Sequence, residues 1–272
     1  MTTLQPPGAG TALPPPLTPP GPPPLSVVIV ALDEAARLPA LLADLASGWG
    51  LVREVLVVDG GSHDATRAVA RLGGARLLGS PGGAGRGSQL LTGIEASQGP
   101  WLLLLHADVR LPSGWPVLVA EALEAGPDLA WAFGLAIEGS DPSLRLVEAA
   151  VQLRSRWRQE PYGDQGLLLH RDLHRRCGGM APLPLMEDLE FITRLRRHAR
   201  VRLLAARLRV DGRRWRRLGV WQTTLRNARL RRAWRRGVSA AELAVLYREG
   251  TQGAYQKAQR RSNGSSSQPR AS

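Results

Sequence analysis

The sequence predicts an α/β fold in which a mostly parallel sheet is flanked by helices. Short apolar runs rich in valine, isoleucine and leucine recur along the first half of the chain, and segments with helical spacing of apolar residues separate them. Continuous apolar strands of this kind are buried on both faces, as in parallel βαβ units. A chain of 272 residues with 43% apolar residues can also bury the core that such a fold needs.

The first half alternates strands and helices in order. The strand LSVVIVA (25–31) precedes a helix over 34–47, for which Asp33 is a candidate N-cap. A second helix starts at Ser62 and Asp64. The remaining elements of this half are the strands REVLVVD (53–59), ARLLGS (75–80) and WLLLL (101–105) and the helices over 62–72 and 88–97.

The second half mixes its elements rather than alternating them strictly. Its apolar pattern predicts three strands, namely LAWAFGLAIE (129–138), QGLLLH (165–170) and VRLLAA (201–206), and three helices, near 114–125, 142–158 and 187–198. A basic helical C-terminus follows.

Composition divides the chain into four segments. Residues 1–24 contain ten prolines and residues 251–272 are polar, so both are expected to be disordered tails. Residues 25–215 form the expected folded domain, and residues 216–250 form a basic helical extension rich in tryptophan and arginine.

The positive charge is concentrated near the C-terminus. Residues 194–236 contain 17 arginines and a single acidic residue, Asp211, whereas the whole chain carries a net charge of +13. Three readings of this segment remain open: a packed surface helix, a helix that lies on an anionic membrane surface, and a nucleic-acid contact, which is the least favoured.

Other features of the sequence concern its location. Cys177 is the single cysteine, which excludes an internal disulfide and fits a reducing, cytoplasmic setting. The N-terminus lacks the features of a signal peptide, and no apolar run approaches the length of a membrane span. We therefore expect a cytoplasmic protein, and peripheral contact to the inner face of the cell membrane through its basic extension is one of the readings that remain open.

Acidic side chains follow three of the four strands of the first half. Asp33 and Glu34 follow the first strand, Asp59 ends the second, and His106 and Asp108 end the fourth. Ligands of open α/β sheets bind beyond the carboxyl ends of the strands, and clustered carboxylates favour a bound cation there. The sequence therefore predicts a Mn²⁺ or Mg²⁺ site that holds a phosphorylated ligand.

Structural roles can explain each of these residues singly. Asp59 before two glycines is typical of a turn, Asp33 and Asp64 can cap helices, and a lone histidine such as His106 is more often not a metal ligand. The glycine-rich PGGAGRGSQ (81–89) matches neither the Walker pattern nor the GxGxxG fingerprint, although it can bring Arg86 near an anion.

Several motifs in this order resemble those of bacterial family-2 glycosyltransferases with the A-type fold. The matching stretches are VVIVALDEAARLPALLADL, VLVVDGGSHDAT, GRGSQLLTG, LLLLHADVRLP, PYGDQGLLLHRDL, PLMEDLEF and RRWRRLG, which together span roughly residues 25–220. The HAD, YGDQG and MEDLEF motifs are similar to those of a compact bacterial subgroup. The resemblance implies a nucleoside diphosphate sugar as donor, with a UDP-sugar favoured.

The resemblance also implies roles for individual residues. Asp188 would be the catalytic base, and Asp108 would be the acid that binds the metal, with His106 in the position where the first acid of the DxD motif usually stands. The donor would be bound by Asp33, Glu34, Asp59, Arg86 and Asp108. The acceptor side would include Asp164, Gln165, Glu187, Arg214 and Trp215.

The predicted activity is inverting, metal-assisted sugar transfer to a hydroxyl or carboxyl acceptor, lipid-like in the manner of a polyprenyl or carotenoid compound. One alternative is a nucleotidyltransferase similar to the sugar-nucleotide pyrophosphorylases, whose glycine-rich loop follows the first strand. Here LDEA occupies that position. The other alternative is a non-catalytic module that binds membrane or nucleic acid, which leaves the acids at the strand ends unexplained.

Overall fold

The computed structural model describes residues 21–80 and 85–248, which are built around one eight-stranded sheet. Its strands are β1 (Leu25–Ala31), β2 (Val52–Asp59), β3 (Arg76–Gly79), β4 (Trp101–His106), β5 (Val109–Arg110), β6 (Leu129–Ile137), β7 (Leu167–His170) and β8 (Arg200–Val210). The helices are α1 (Leu38–Ala46), α2 (Thr66–Leu72), α3 (Arg86–Ala96), α4 (Trp115–Glu124), α5 (Pro142–Trp157), α6 (Arg171–Arg176), α7 (Glu187–Leu195), α8 (Arg213–Leu218), α9 (Val220–Arg235) and α10 (240–248).

The strand order β3-β2-β1-β4-β7-β6-β8-β5 divides the sheet into two halves. The four strands of the N-terminal half are parallel to one another. In the other half, β7 runs antiparallel to both β4 and β6, whereas β6 and β8 are parallel. This arrangement confirms the predicted α/β class, with a parallel first half and a mixed second half.

Helices cover both faces of the sheet because its strands alternate apolar side chains between the two faces. In β1, Val27 and Ile29 join the cluster formed with α1, α4 and α5. Val28 and Val30 join the cluster formed with α3, α6 and α7. Successive side chains of a strand point to opposite faces, so a strand buried on both faces must be apolar at every position. The sequence LSVVIVA meets this requirement.

The basic C-terminal helices pack against the catalytic domain. Leu230 of α9 and Leu243 of α10 are buried with Leu185, Met186 and Leu189 around the start of α7. This contact favours the packed surface helix among the three readings of the basic segment. Among the helices of the described residues, none combines the length and the apolar character that a bilayer span requires.

The prediction that Asp33 caps a helix over 34–47 is wrong. α1 begins at Leu38, and its N-cap residue Arg37 makes no side-chain cap bond. Asp33 has a left-handed φ of 54°, and its Oδ1 accepts a hydrogen bond from the backbone N–H of His63 at 2.8 Å. Asp33 therefore ties the loop after β1 to the loop after β2.

Several other boundaries differ from the sequence prediction. β8 is longer than 201–206 because its pairing with β6 continues to Val210. β7 begins at Leu167 because a 3-10 turn (Gly163–Gln165) precedes it. The short elements β5 and α6 were not predicted. Most of the proline-rich tail 1–24 and all of the tail 251–272 lie outside the described residues, as do residues 81–84 of the glycine-rich loop.

Candidate active site

The carboxyl ends of β1, β2 and β4 lie side by side. Ala31 pairs with Asp59, and Val30 pairs with His106. Since neighbouring strands are about 4.8 Å apart, the backbones of Asp59 and His106 are separated by roughly 10 Å along this rim. The register thus brings two of the sequence-predicted acidic or imidazole positions to one edge of the sheet.

A cavity of about 630 Å³ opens on the β4 side of this rim. Residues from the predicted site line it together with residues of the C-terminal segment. The predicted residues among them are Arg86, His106, Asp108, Asp164, Asp188, Arg214 and Trp215. The cavity therefore gathers side chains that are separated by more than 100 residues in the chain.

Asp188 sits in the first turn of α7. Its Oδ2 accepts a hydrogen bond from the backbone N–H of Gly163 at 2.9 Å, and its Oδ1 accepts one from Leu189 N at 2.7 Å. A methyl group at Gly163 would lie 2.8 Å from His106 Nε2 and 3.5 Å from Asp188 Oδ2. Glycine at this position therefore lets His106 and Asp188 approach the same segment of backbone.

His106 and Asp108 fit a cation that takes further ligands from a bound diphosphate. Burial and the neighbouring Arg86 lower the pKa of His106 to about 4, so its imidazole is neutral at pH 7 and keeps a lone pair. The described residues contain no group of three or more His, Cys, Asp or Glu side chains arranged to hold a metal. Mg²⁺ and Mn²⁺ sites with one or two protein ligands depend on substrate phosphates for the rest.

Arg86 and Glu187 form an ion pair between α3 and α7. Arg86 Nε lies 3.1 Å from Glu187 Oε1, and the Glu187 side chain is 1% exposed. Burial raises the pKa of Glu187, while the carboxylate raises the pKa of Arg86. Within the described residues, Glu187 Oε2 has no hydrogen-bond partner. The pair fixes the start of α7, and with it the neighbouring Asp188.

Glu34 is bound by arginines rather than free at the rim. Arg213 donates to both of its carboxylate oxygens, one of them at 3.0 Å, and Arg37 Nη1 lies 3.4 Å from Oε2. Arg213 Nη2 also lies 3.7 Å from Asp108 Oδ2. Arg213 therefore lies between Glu34, which follows β1, and Asp108, which follows β4.

Asp33 and Asp59 lie on the rim outside the residues that line the cavity. Asp59 is 4% exposed, and it accepts hydrogen bonds from Gly61 N and Ser62 N, each at 3.2 Å. Asp59 therefore stabilises the turn after β2, as its position before two glycines predicts. Asp33 is exposed, so the β1–β2 end of the rim has one accessible carboxylate and one that orders a loop.

Asp164 and Gln165 point in different directions. Asp164 lines the cavity, its buried Oδ1 accepts no hydrogen bond from the described residues, and burial raises its pKa. Gln165 is fully buried, accepts from Ser155 Oγ at 2.9 Å and donates to Phe133 O at 2.9 Å. Gln165 therefore supports the turn from behind, in a position without access to a ligand.

The sequence prediction missed several cavity residues. Tyr162, which belongs to the YGDQG motif but was given no role, lines the cavity, as do three arginines outside the motifs that the sequence analysis used, Arg154, Arg158 and Arg231. Asp211 also lines it and pairs with Arg37 and Arg216. Its position as a single acid among 17 arginines was a usable signal.

Comparison with known proteins places this chain in a family. The family model described as glycosyl transferase family 2 matches residues 26–184, more than half of the chain. An uncharacterized glycosyltransferase of Mycobacterium tuberculosis is 38% identical over 106 residues, which cover 39% of this chain and 46% of that protein. The undecaprenyl-phosphate 4-deoxy-4-formamido-L-arabinose transferase of Aeromonas hydrophila is 31% identical over 114 residues, covering 39% and 35%. The aligned regions thus span less than half the length of these curated relatives.

Solved structures share the fold at low sequence identity. TarS of S. aureus in complex with UDP matches with a TM-score of 0.55 and 16% identity, over 69% of this chain and 60% of that chain. Glucosyl-3-phosphoglycerate synthase of M. tuberculosis, in complex with Mn²⁺, UDP and phosphoglyceric acid, matches with a TM-score of 0.50 and 23% identity, over 68% and 69%. These matches confirm the predicted A-type fold.

Proposed function

The chain belongs to glycosyl transferase family 2, and from this premise we propose that it transfers a sugar from a nucleoside diphosphate sugar to a hydroxyl or carboxyl acceptor with inversion. The observation that carries the proposal is the shared cavity of Asp108, His106 and Asp188 at the carboxyl end of β4. Such a reaction needs one group that stabilises the leaving diphosphate and another that takes the proton of the attacking hydroxyl. The cavity holds a candidate for each.

The donor side is assigned to the rim of β1, β2 and β4. Asp33 and Glu34 would lie beside the nucleotide base, Asp59 would contact the base or ribose, and Arg86 would approach the diphosphate. A UDP-sugar is the favoured donor, because structural neighbours with the same fold were solved with UDP. Glu34 would act through Arg213, which it holds beside Asp108.

Asp108, with His106 beside it, would hold the divalent cation, Mn²⁺ or Mg²⁺, whose charge stabilises the leaving diphosphate. A structural neighbour solved with Mn²⁺ supports this assignment. Arg86 and Arg213 add positive charge at the same end of the cavity. Preorganised charges of this kind act on the oxygen atoms that gain negative charge as the glycosidic bond breaks.

Asp188 would serve as the base on the acceptor side. It removes the proton of the acceptor hydroxyl as that oxygen bonds to the anomeric carbon, while the bond from that carbon to the diphosphate oxygen breaks on the opposite face. The hydrogen bond from Gly163 N holds the carboxylate at the cavity surface. One carboxylate suffices, because attack and departure occur in one step.

A lipid-like acceptor suits the basic C-terminal helices. The Aeromonas relative is named for transfer to undecaprenyl phosphate, and the exposed Trp221 and Leu225 of α9 would let the protein rest on the inner face of the cell membrane. Nucleic acid is not required by this arrangement, since arginines of the basic segment bind acids of the domain itself.

A thermal-shift screen tests the donor and the metal together. Nucleoside diphosphate sugars would be added one at a time with Mn²⁺, with Mg²⁺ and with EDTA, and a bound ligand at about 100 times its Kd stabilises the fold by about 2.7 kcal/mol. We expect one donor class to raise Tm with a divalent cation and less with EDTA. Asp128→Asn, at an exposed position, is the matched control for Asp108→Ala, which should lose the response. An equal increase in Tm in both variants would show that Asp108 does not take part in donor binding.

A further inference from the structure

Opposite the acids, the cavity wall is apolar and continues onto the protein surface. α5 places Leu146, Ala150, Leu153 and Trp157 at spacings of four, three and four residues, which form one stripe of a helix. The last three line the cavity. Leu146, Leu153 and Trp157 are 61%, 50% and 79% exposed, so an apolar strip about 16 Å long leads out of the cavity.

Two arginines that line the same cavity have no acidic partner among the described residues. Arg158 follows the last residue of α5, and Arg231 faces the cavity from α9. Within residues 21–80 and 85–248, neither guanidinium forms an ion pair with a carboxylate. Arg86 and Arg213, by contrast, are paired with Glu187 and Glu34.

Positive charge is also concentrated around Tyr162. The Arg154 guanidinium lies 3.7 Å from the centroid of the Tyr162 ring, and the Arg231 guanidinium lies 5.2 Å from it. Tyr162 precedes Gly163, which donates to Asp188. Burial and the neighbouring Arg231 contribute to a lowered pKa of Arg154. Asp164 and Glu160 offset part of this positive charge, and an anionic ligand would offset more of it.

We propose that this wall is an acceptor subsite for an anionic amphiphile. Arg158 and Arg231 bind the anionic group, a phosphate or a carboxylate, and the apolar body lies along the α5 strip from Ala150 to Trp157. This inference rests on the proposed function for the identity of the ligand as acceptor, but the binding it describes does not depend on catalysis. The complementary charge and the continuous apolar strip select an amphiphile over a free sugar.

Isothermal titration calorimetry with three probes tests the subsite, in the presence of saturating UDP and a divalent cation. The probes are dodecyl phosphate below its critical micelle concentration, inorganic phosphate and dodecanol. We expect dodecyl phosphate to bind at least tenfold more tightly than either of the others, because it alone contacts both the arginines and the strip. Inorganic phosphate binding as tightly as dodecyl phosphate would reduce the site to a simple anion site and overturn the proposal.

Variants separate the two halves of the subsite. Arg158→Ala with Arg231→Ala should weaken dodecyl phosphate at least tenfold, whereas the matched pair Arg229→Ala with Arg232→Ala, at exposed positions of α9, should change it less than twofold. Leu153→Glu should weaken dodecyl phosphate but leave inorganic phosphate unchanged. Thermal melting of each variant verifies that it is folded, and unchanged dodecyl phosphate binding in both the double variant and Leu153→Glu would refute the subsite.

The affinity for UDP distinguishes this inference from the proposed function. Loss of UDP binding in the Arg158/Arg231 variant would assign these arginines to the donor and overturn the inference while leaving the transferase intact. If no nucleoside diphosphate sugar binds and dodecyl phosphate still binds in an arginine-dependent way, the subsite stands and the donor assignment fails.

Discussion

Two carboxylates in one cavity differ in their surroundings, and this difference separates their roles. Asp188 accepts backbone hydrogen bonds through both oxygens at the N-terminus of α7, where the helix dipole favours a negative charge. Asp164 has a buried oxygen without a partner among the described residues. The carboxylate of Asp188 is held in place, as the proposed base requires, whereas the carboxylate of Asp164 lacks such support.

The variant Asp188→Asn tests the proposal that Asp188 is the catalytic base. The amide keeps the shape of the side chain but cannot take a proton, so donor affinity should change less than twofold while turnover falls by about 10² or more. Calorimetry with the donor and a turnover assay measure the two quantities. Asp172→Asn, at an exposed position of α6, serves as the control. Full activity of Asp188→Asn would exclude Asp188 as the base.

Asp164→Asn tests whether the ionised carboxylate of Asp164 lowers the free energy of unfolding, which is measured as a function of pH. Because burial raises the folded-state pKa of Asp164 above its ordinary value of 3.8, ionisation penalises the folded state. The penalty is absent at pH below 3.8 and grows as pH rises through the raised folded-state pKa. The variant should therefore gain stability relative to the wild type as pH rises from 4 to 7, measured by urea unfolding at each pH. A difference that is constant across this range would contradict the assignment.

At the scale of elements, the start of α7 is held from two sides. Arg86 of α3 binds Glu187, and the 3-10 turn before β7 binds Asp188 through Gly163. Gln165 anchors that turn to β6 through Phe133 O. The position of Asp188 is thus set by three elements that are distant in the chain, so a change in any one of them should move its carboxylate.

A double-mutant cycle measures the contact between α3 and α7. Glu187→Leu and Arg86→Met should each destabilise the fold, because each leaves the other charge without its partner. The double variant should be destabilised by less than the sum, with a coupling of about 1 kcal/mol, since Arg86 is 35% exposed and solvent screens part of the pair. Chemical denaturation gives the four free energies of unfolding, and additive effects would show that the pair contributes nothing.

The sequence was a good guide to elements whose pattern is local. The strands β1 to β4 were predicted to within one or two residues. β1 and β4 are continuous apolar runs buried on both faces, whereas β3 is a short, partly exposed strand at the edge of the sheet. Asp188 at the start of α7 was also predicted. The start of α1 was not, because the loop after β1 is held by Ser62 and Asp64 of the next loop, contacts that no local pattern reveals.

The cavity was predictable only where its residues belong to recognisable motifs. Asp108 and Asp188 follow strand and helix signals, but Arg213 reaches Glu34 across 179 residues, and Arg231 reaches Tyr162 only after α9 has packed on the domain. Pairings of this kind depend on the order of strands in the sheet and on helix packing. The sequence analysis could therefore name Arg86 and Arg214 from their motifs, but it had no means of naming Arg154, Arg158 and Arg231.

At the scale of the whole molecule, the basic segment has two distinct uses. Some of its arginines neutralise acids that are otherwise buried or half-buried: Arg213 binds Glu34, and both Arg196 and Arg235 bind Glu160. Others remain on the outer surface of α9, alongside Trp221 and Leu225, which are 57% and 54% exposed. The high net charge is thus partly structural, and the remainder is available to an external anionic surface.

Vesicle flotation tests whether this outer surface meets a membrane. Exposed arginines near anionic lipid contribute about 1 kcal/mol each, and a tryptophan at the interface adds apolar contact. We expect the protein to float with vesicles that contain anionic lipid, to remain behind with zwitterionic vesicles, and to be released by high salt, which screens the attraction. Trp221→Glu with Leu225→Glu should reduce flotation severalfold. Trp49→Glu is the control, since this 81% exposed tryptophan precedes β2 and lies at the end of the sheet opposite the site. Equal flotation of both variants would assign the exposed residues of α9 to a role other than membrane contact.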